Sequence, residues 1–288
     1  MQNILRFITF IVCCLAVLQS FALELNSQND LEKFSFFSAI NIERIEYQEL
    51  AKVLPVNSKT VIYNPIMRNG GVHKLSDTQL LLIESISTIY PTRVEEQWRL
   101  NSNNVVFQEN SMTYTLNTKR IYYYQQLVKR LKWVAGVEYS LHSFKRFEPS
   151  SEYIDFSWDL IEETKAEIIL NTGFDFDSGR LTHNNWRYYG HVLVGMPVFS
   201  RAENTQYTDL YFDNADGYSL HTNFGLSKKL THKVHVGFLF EWDYLYRESV
   251  ELTVVEFFND DFNITTVVEY PKHITQIMRL GLNVHWAL

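Results

Sequence analysis

The stretch Val234-His-Val-Gly-Phe-Leu-Phe-Glu-Trp-Asp-Tyr244 decides the fold class. Val234, Val236, Phe238, Phe240, Trp242 and Tyr244 fall at every second position; His235, Gly237, Glu241 and Asp243 fall between them. Successive side chains of a β-strand point to opposite sides, so the segment has one apolar and one polar face. The apolar face runs for about 9–11 residues of strand, the length that crosses a lipid bilayer when tilted.

The pattern recurs on both sides of this segment. Trp133, Ala135, Val137, Tyr139 and Leu141 oppose Gly136, Glu138, Ser140 and His142. Ile154, Phe156, Trp158 and Leu160 oppose Asp155, Ser157 and Asp159. Ala166, Ile168, Leu170, Thr172, Phe174 and Phe176 oppose Glu167, Asn171, Gly173 and Asp175. Trp186, Tyr188, Val192, Val194, Met196 and Val198 oppose Arg187, Tyr189 and His191. Tyr218, Leu220, Thr222 and Phe224 oppose Ser219, His221 and Asn223, and Met278, Leu280, Leu282, Val284 and Trp286 oppose Arg279, Gly281, Asn283 and His285. Aromatic residues crowd the ends of these apolar faces, as in the girdles at the two lipid interfaces. A soluble sandwich also alternates, but bilayer length and aromatic ends favour an all-β, antiparallel transmembrane β-barrel.

Candidate strands lie near 35–47, 93–100, 104–116, 120–128, 132–146, 152–161, 165–177, 185–200, 205–214, 216–228, 232–247 and 273–288. That is about 12, an even number, with ten the alternative if the barrel starts near 104. The polar faces read as a wet lumen in which Glu138, Asp155, Asp159, Glu167, Asp175, Glu241 and Asp243 outnumber Arg187 and Arg279. An open interior of that kind favours cations; a plugged one must pair its charges.

The sequence opens on Met1-Gln-Asn-Ile-Leu-Arg6, a short positive start, followed by an apolar run from Phe7 to Leu18 broken only by Thr9 and by small residues at Ser20 and Ala22. This reads as a secretory signal peptide over 1–22, cleaved after Ala22 and too short to span a bilayer. Residues 23–288 are then the barrel. Cys13 and Cys14 leave with the leader, so the remaining chain has no disulfide and no thiolate metal site. The formal net charge of −7 argues against nucleic acid as a partner, which needs clustered Lys and Arg. No later run reaches 18 apolar residues, which excludes a helical membrane protein but not a barrel, whose alternation averages away.

The last strand, Arg279-Leu-Gly281-Leu-Asn-Val284-His-Trp286, has the order polar, any, Gly, any, any, apolar, any, apolar. It resembles the terminal strand by which bacterial outer-membrane β-barrel proteins as a broad class are recognised. Ala287 and Leu288 follow it, so the chain does not end on an aromatic residue. The resemblance implies the cell outer membrane of a Gram-negative envelope as location. It implies outer-membrane lipid, lipopolysaccharide and the barrel-assembly machinery as partners.

With the C-terminus taken as periplasmic, residues 129–131, 162–164, 201–205 and 227–233 read as short periplasmic turns. Residues 147–152, 177–185, 213–217 and a long loop at 248–272 then fall outside. In that loop Val250–Phe258 and Ile264–Tyr270 form a hairpin with its turn at 259–263. Residues 48–92 fit poorly and read as an irregular or helical loop, a plug or an N-terminal region. Leu82, Ile86 and Ile89 recur at helical spacing behind a cap at Ser76 or Asp77, and Pro91 stops them, so a short helix is expected near 76–90.

Chemistry is harder to place. Ser219 and His221 share a polar face, where a nucleophile and a base would be neighbours; as a chance pair on a polar strand they are solvated lumen residues. His142-Ser143 diverge. Omptin proteases use Asp and His pairs at the outer rim, and their motifs have no match here. His142, His191, His221, His235 and His285 all fall on polar faces without short ligand spacing, which favours solvation over metal. Asp260, Asp261 and Glu269 form an acidic tip able to meet divalent cations at the lipopolysaccharide surface. No catalytic, cofactor or metal residue is assigned. The expected function is a porin-like small-solute pore or transporter, with a non-conducting surface or binding barrel as alternative and a barrel hydrolase third.

Overall fold

The computed structural model describes residues 34–287 apart from 154–158, 180–185, 206, 214, 232 and 260–261. The leader reading at 1–22 and the alternation at 154–158 lie outside the described residues. Among the described residues fourteen strands follow one another: β1 (Phe34–Leu50), β2 (Val56–Ser76), β3 (Gln79–Thr88), β4 (Val94–Leu100), β5 (Val106–Val128), β6 (Leu131–Ser150) and β7 (Leu160–Asp177), then β8 (Trp186–Asn204), β9 (Tyr207–Asp213), β10 (Gly217–Lys229), β11 (Val234–Arg247), β12 (Val250–Asn259), β13 (Phe262–Tyr270) and β14 (Lys272–Ala287).

Twelve of these strands form one antiparallel sheet, and β12 with β13 forms a separate two-stranded ribbon. The sheet is a ring, because β1 pairs with β14 on one side and β2 on the other. Round the ring there are ten positions. β3 and β4 share the place between β2 and β5, and β9 stands in line with β10 beside β8. Closure removes the free strand edges from the waist of the barrel. The expectation of about twelve strands thus matches the sheet, and the alternative of ten matches the ring, although it starts at β1 rather than near 104.

The expected helix near 76–90 is absent: Ser76 ends β2, Asp77-Thr78 turn, and Gln79–Thr88 is β3. Leu80 and Ile86 are buried on the inner face with Glu84 between them, a period of two that the helical spacing of Leu82 and Ile86 masked. Residues 48–92 are therefore wall, not loop or plug. Residues 104–116 and 120–128 belong to one strand, and of the strand expected at 152–161 the described residues 152, 153 and 159 lie outside β7. The expected hairpin at 250–270 is present as the β12–β13 ribbon.

Each strand keeps its period across the ring. On β1, Ser35, Phe37, Ala39, Asn41, Glu43, Ile45, Tyr47 and Glu49 are buried inside, while Ile40 and Ile42 are 69% and 64% exposed outside. The faces assigned from sequence on β6, β7, β8, β10, β11 and β14 are the faces observed. The outward apolar residues form a belt, for example Met278, Leu280, Leu282, Val284 and Trp286 on β14. At about 3.4 Å per residue and a tilt near 45° that belt is roughly 20 Å tall.

The belt occupies one half of the barrel, the half holding both described termini and the turns at 77–78 and 129–130. In the far half the outer face is charged and paired: Arg44 with Glu46 at 2.9 Å, Lys59 with Glu46 at 2.6 Å, Lys145 with Glu162 at 2.6 Å and Arg201 with Asp213 at 2.7 Å. On β5, the far half runs from Lys119 to Val106, roughly 30 Å beyond the belt by the same rise and tilt. Three expected sides are reversed. Residues 162–164 and 201–205 lie at the far end, and β7 ends at Asp177 and β8 starts at Trp186 at the terminal end.

Candidate functional site

The inner faces converge on a filled interior. Its centre is a buried ion network. Arg120 on β5 donates from Nε to Glu138 at 2.6 Å, from Nη1 to Glu84 at 3.2 Å and Glu241 at 3.1 Å, and from Nη2 to Asp243 at 3.1 Å. Glu241 and Asp243 lie on β11, five places from β5 in a ring of ten and so on the opposite wall. Arg68 on β2 joins Glu84 at 2.6 Å and Glu241 at 3.0 Å. Arg279 on β14 joins Glu43 at 2.7 Å and Asp243 at 2.5 Å, and also Glu241. All these charged groups are buried. A buried charge persists only when paired and hydrogen-bonded, which each of these guanidinium groups provides for several carboxylates at once.

An apolar layer packs within the interior: Ile45, Tyr47, Ile62, Met112, Tyr114, Leu116, Phe144, Ile169, Leu245 and Ile277. Towards the far end two more charged groups cross the interior. Arg146 on β6 reaches Glu96 at 2.8 Å and Glu49 on β1 at 2.9 Å, and Ser58 and Asn110 donate to Glu96. Glu167 accepts from Arg247 at 2.7 Å and Lys165 at 2.8 Å, and Lys165 Nζ meets His273 Nε2 on β14 at 2.5 Å. Near the terminal end Lys132, Asp175, Asp177 and Arg187 form a further cluster.

The sequence pair Ser219 and His221 points inward from β10 as expected, and the structure supplies a third group. His221 Nδ1 lies 2.9 Å from Asp243 Oδ1. The remaining geometry is not that of a nucleophile and its base. Ser219 Oγ and His221 Nε2 are buried and have no hydrogen-bond partner, so they do not bond each other. His221 Nε2 instead lies 3.9 Å from Glu138. Gly195 admits the serine: a Cβ there would stand 2.2 Å from both Ser219 Oγ and Asn171 Oδ1. His221–Asp243 is locked in the ion network rather than set at an open rim.

His142 and His191 are inner-wall residues with polar neighbours, and His285 packs against Phe37 on the same wall. His142 Nδ1 meets Tyr114 Oη at 2.5 Å and His191 Nδ1 meets Asn223 Nδ2 at 3.2 Å. Among the described residues no three His, Cys, Asp or Glu side chains are arranged to hold a metal ion. Glu269 of the acidic tip accepts from the Lys52 and Val53 amides at 2.7–3.0 Å, tying the β12–β13 ribbon to the β1–β2 turn. Asp155, Asp260 and Asp261 lie outside the described residues, and Asp159 sits in the connection before β7, not in the interior. Sequence reasoning missed Arg68, Arg120, Arg146, Lys165 and Arg247. Arg68 and Arg120 lie on strands whose register it did not assign, and Arg247 ends the 232–247 strand beyond the positions whose faces it assigned.

This layout is that of outer-membrane β-barrels. The chain is similar in fold to the outer membrane protease OmpT from Escherichia coli, with a TM-score of 0.66 and 10% identity over 92% of this chain and 99% of that one. Weaker likenesses are the transport unit of the autotransporter AIDA-I from Escherichia coli (TM-score 0.42, 9% identity, 93% and 94% covered) and the translocator domain of NalP from Neisseria meningitidis (0.39, 8%, 100% and 98%). No family model matches the sequence, and no curated protein matches it. At such identities the likeness extends to the fold alone.

Proposed function

We propose that the protein resides in the outer membrane as a non-conducting barrel whose far half stands at the cell surface as a binding platform. The observation that carries this reading is Arg120, which ties one wall to the opposite wall through Glu241 and Asp243. A water-filled pore keeps its charges on the wall and its axis open. Here the charges meet across the axis, and apolar residues pack in the same interior. The outward belt fits a hydrocarbon core, and the paired charges above it fit water. Outer-membrane lipid and lipopolysaccharide would surround the belt, and the β14 strand would engage the assembly machinery.

Single-channel recording in planar bilayers tests the closed interior. The expected trace stays at the baseline of protein-free membrane in molar salt. Stable ohmic steps with cation preference would restore the pore reading. Fractionation tests the location: the protein is expected with outer membranes, resistant to urea extraction, and recovery as soluble protein would refute it.

A further inference from the structure

Charge in the far interior does not balance. Among the described residues the buried carboxylates there are Glu49, Glu96, Glu163 and Glu167, and the buried cations are Arg146, Lys165 and Arg247. Glu167 is served twice, by Arg247 at 2.7 Å and by Lys165 at 2.8 Å. Lys165 also stands 2.5 Å from His273 Nε2. Two cations do not sit that close, so His273 is neutral and accepts, with its Nδ1 turned to the Pro271 carbonyl oxygen at 3.4 Å. His142, bonded to Tyr114, lies 3.5 Å from Glu167, a carboxylate already neutralised, and brings nothing to Arg146.

The shortage falls on Arg146. Its guanidinium faces three carboxylates from three strands: Glu96 on β4 at 2.8 Å, Glu49 on β1 at 2.9 Å and Glu163 on β7 at 3.6 Å. Glu96 is the best served, because Arg146 donates to it from both Nε and Nη2, and Ser58 and Asn110 donate as well. Glu49 and Glu163 are each left with one guanidinium nitrogen and one phenol. Tyr47 Oη stands 2.5 Å from Glu49, and Tyr270 Oη stands 2.8 Å from Glu163. The rings of Trp98 and Phe144 lie 5.5 Å and 5.9 Å from the guanidinium carbon and help to keep water from it. Carboxylates crowded into one dry site do not all ionise, and one of them keeps its proton.

We infer that Glu49 and Glu163, gathered round Arg146, form a proton-binding site in the far half of the barrel. The proton resides on Glu49, where Tyr47 Oη can accept from it as readily as donate. With that proton in place the three remaining carboxylates match the three cations. Glu163 stays ionised and holds the Tyr270 hydroxyl, so the end of β13 is anchored on the site. Glu49 lies beyond the belt, past the outward pair of Arg44 and Glu46. Burial pushes its carboxyl up to about 7, with Arg146 opposing and Glu163 and Glu96 adding to the rise. A carboxyl raised on folding contributes its full stability below the unfolded value of 4.5 and loses it as pH rises through about 7. The far half is therefore held most firmly in mild acid, whether or not the membrane half conducts.

The test uses the full barrel in lipid vesicles. The infrared band of a protonated carboxyl is read in the difference between the native protein and Glu49→Gln, from about pH 5 to about pH 8. The expected difference is one carboxyl band, present in mild acid and fading towards about 7. Urea unfolding over the same range reads the linked stability. Relative to Glu49→Gln, the native barrel should lose roughly fiftyfold in its folding equilibrium across that range. Glu96→Gln leaves Arg146 with fewer carboxylates and should move the fading of the band to lower pH by about one unit, a shift that a side chain merely filling space would not cause. The series is run with sodium and with choline as the only added cation. A native protein without the band, a band constant over the range, or a stability difference flat with pH would each overturn the inference. So would a stability gain from sodium in place of the pH dependence, which would make this a site for a metal cation instead.

Discussion

Replacing Arg120 by Met tests the interior directly. The substitution keeps much of the side-chain volume and removes a guanidinium that engages four carboxylates. Three of them keep a second cation: Glu84 keeps Arg68, Asp243 keeps Arg279, and Glu241 keeps both. Glu138 does not. Its remaining contacts are the hydroxyls of Ser140 at 2.9 Å and Tyr122 at 3.5 Å, and His221 at 3.9 Å, none of them a full cationic partner. Leaving one buried charge without its partner costs about 3–5 kcal/mol. Arg120→Met should therefore lower unfolding free energy by about that amount, with most of the loss arising at Glu138. Adding Glu138→Gln removes the stranded charge and should restore more than half. The assay is urea unfolding from lipid vesicles, followed by tryptophan fluorescence and heat-modifiable migration. A loss below about 1 kcal/mol for the single variant, the range of solvated pairs, would show that the interior is wet. A double variant no better than the single one would show that Glu138 is not the stranded group.

Further outcomes separate the belt, the outer wall and the packing. Leu282→Arg, on the outward face of the belt and 66% exposed, should cost about 2–4 kcal/mol in bilayers, whereas Gln48→Arg on the far outer wall should stay within about 0.5 kcal/mol; equal damage in vesicle unfolding would misplace the belt. Asp213→Asn breaks the exposed pair with Arg201 and should cost less than about 1 kcal/mol by the same measurement, in contrast with Arg120. Gly195→Val should destabilise by about 1–3 kcal/mol, because its side chain enters the space of Ser219 and Asn171; an unchanged urea midpoint would mean that this part of the interior has room to spare.

Much of the wall was legible in the sequence because its physics is local. On β11 every second residue meets lipid-like or interior surroundings, and a period of two records this without knowledge of any partner. The signal failed where the outer face stops being apolar. Asn117 and Lys119 point outward from β5 near the belt edge, and their polarity split one strand into two. At 75–89 the inner face mixes Leu80 and Ile86 with Glu84, so neither face was uniformly apolar and a helical spacing was read instead. The ion network was out of reach for a different reason. Arg146 meets Glu49 across 97 residues and Arg68 meets Glu241 across 173, distances over which only ring closure fixes who faces whom. Acidic residues on registered strands were visible, and their cations on unregistered ones were not. The carboxylates alone therefore left an open and a plugged interior both standing, and the cations that brace them across the ring were not in view.

The seam between β1 and β14 has a consequence for how the molecule is made. Its rungs run from Ser35 with Ala287 to Leu50 with Lys272, so the first described strand waits for the last before it acquires its second neighbour. Such long-range pairing is slow to form, since the whole chain must be gathered first. Glu43 and Arg279 are directly opposed partners of the network on the two sides of that seam. Until the seam zips, an open sheet can keep both in water, and the expense of drying them falls on the final step. Closure and desolvation are then a single event. A chain truncated before Arg279 would lack the cation that neutralises Glu43 as well as the strand that closes the ring, which makes completion of the barrel all-or-none.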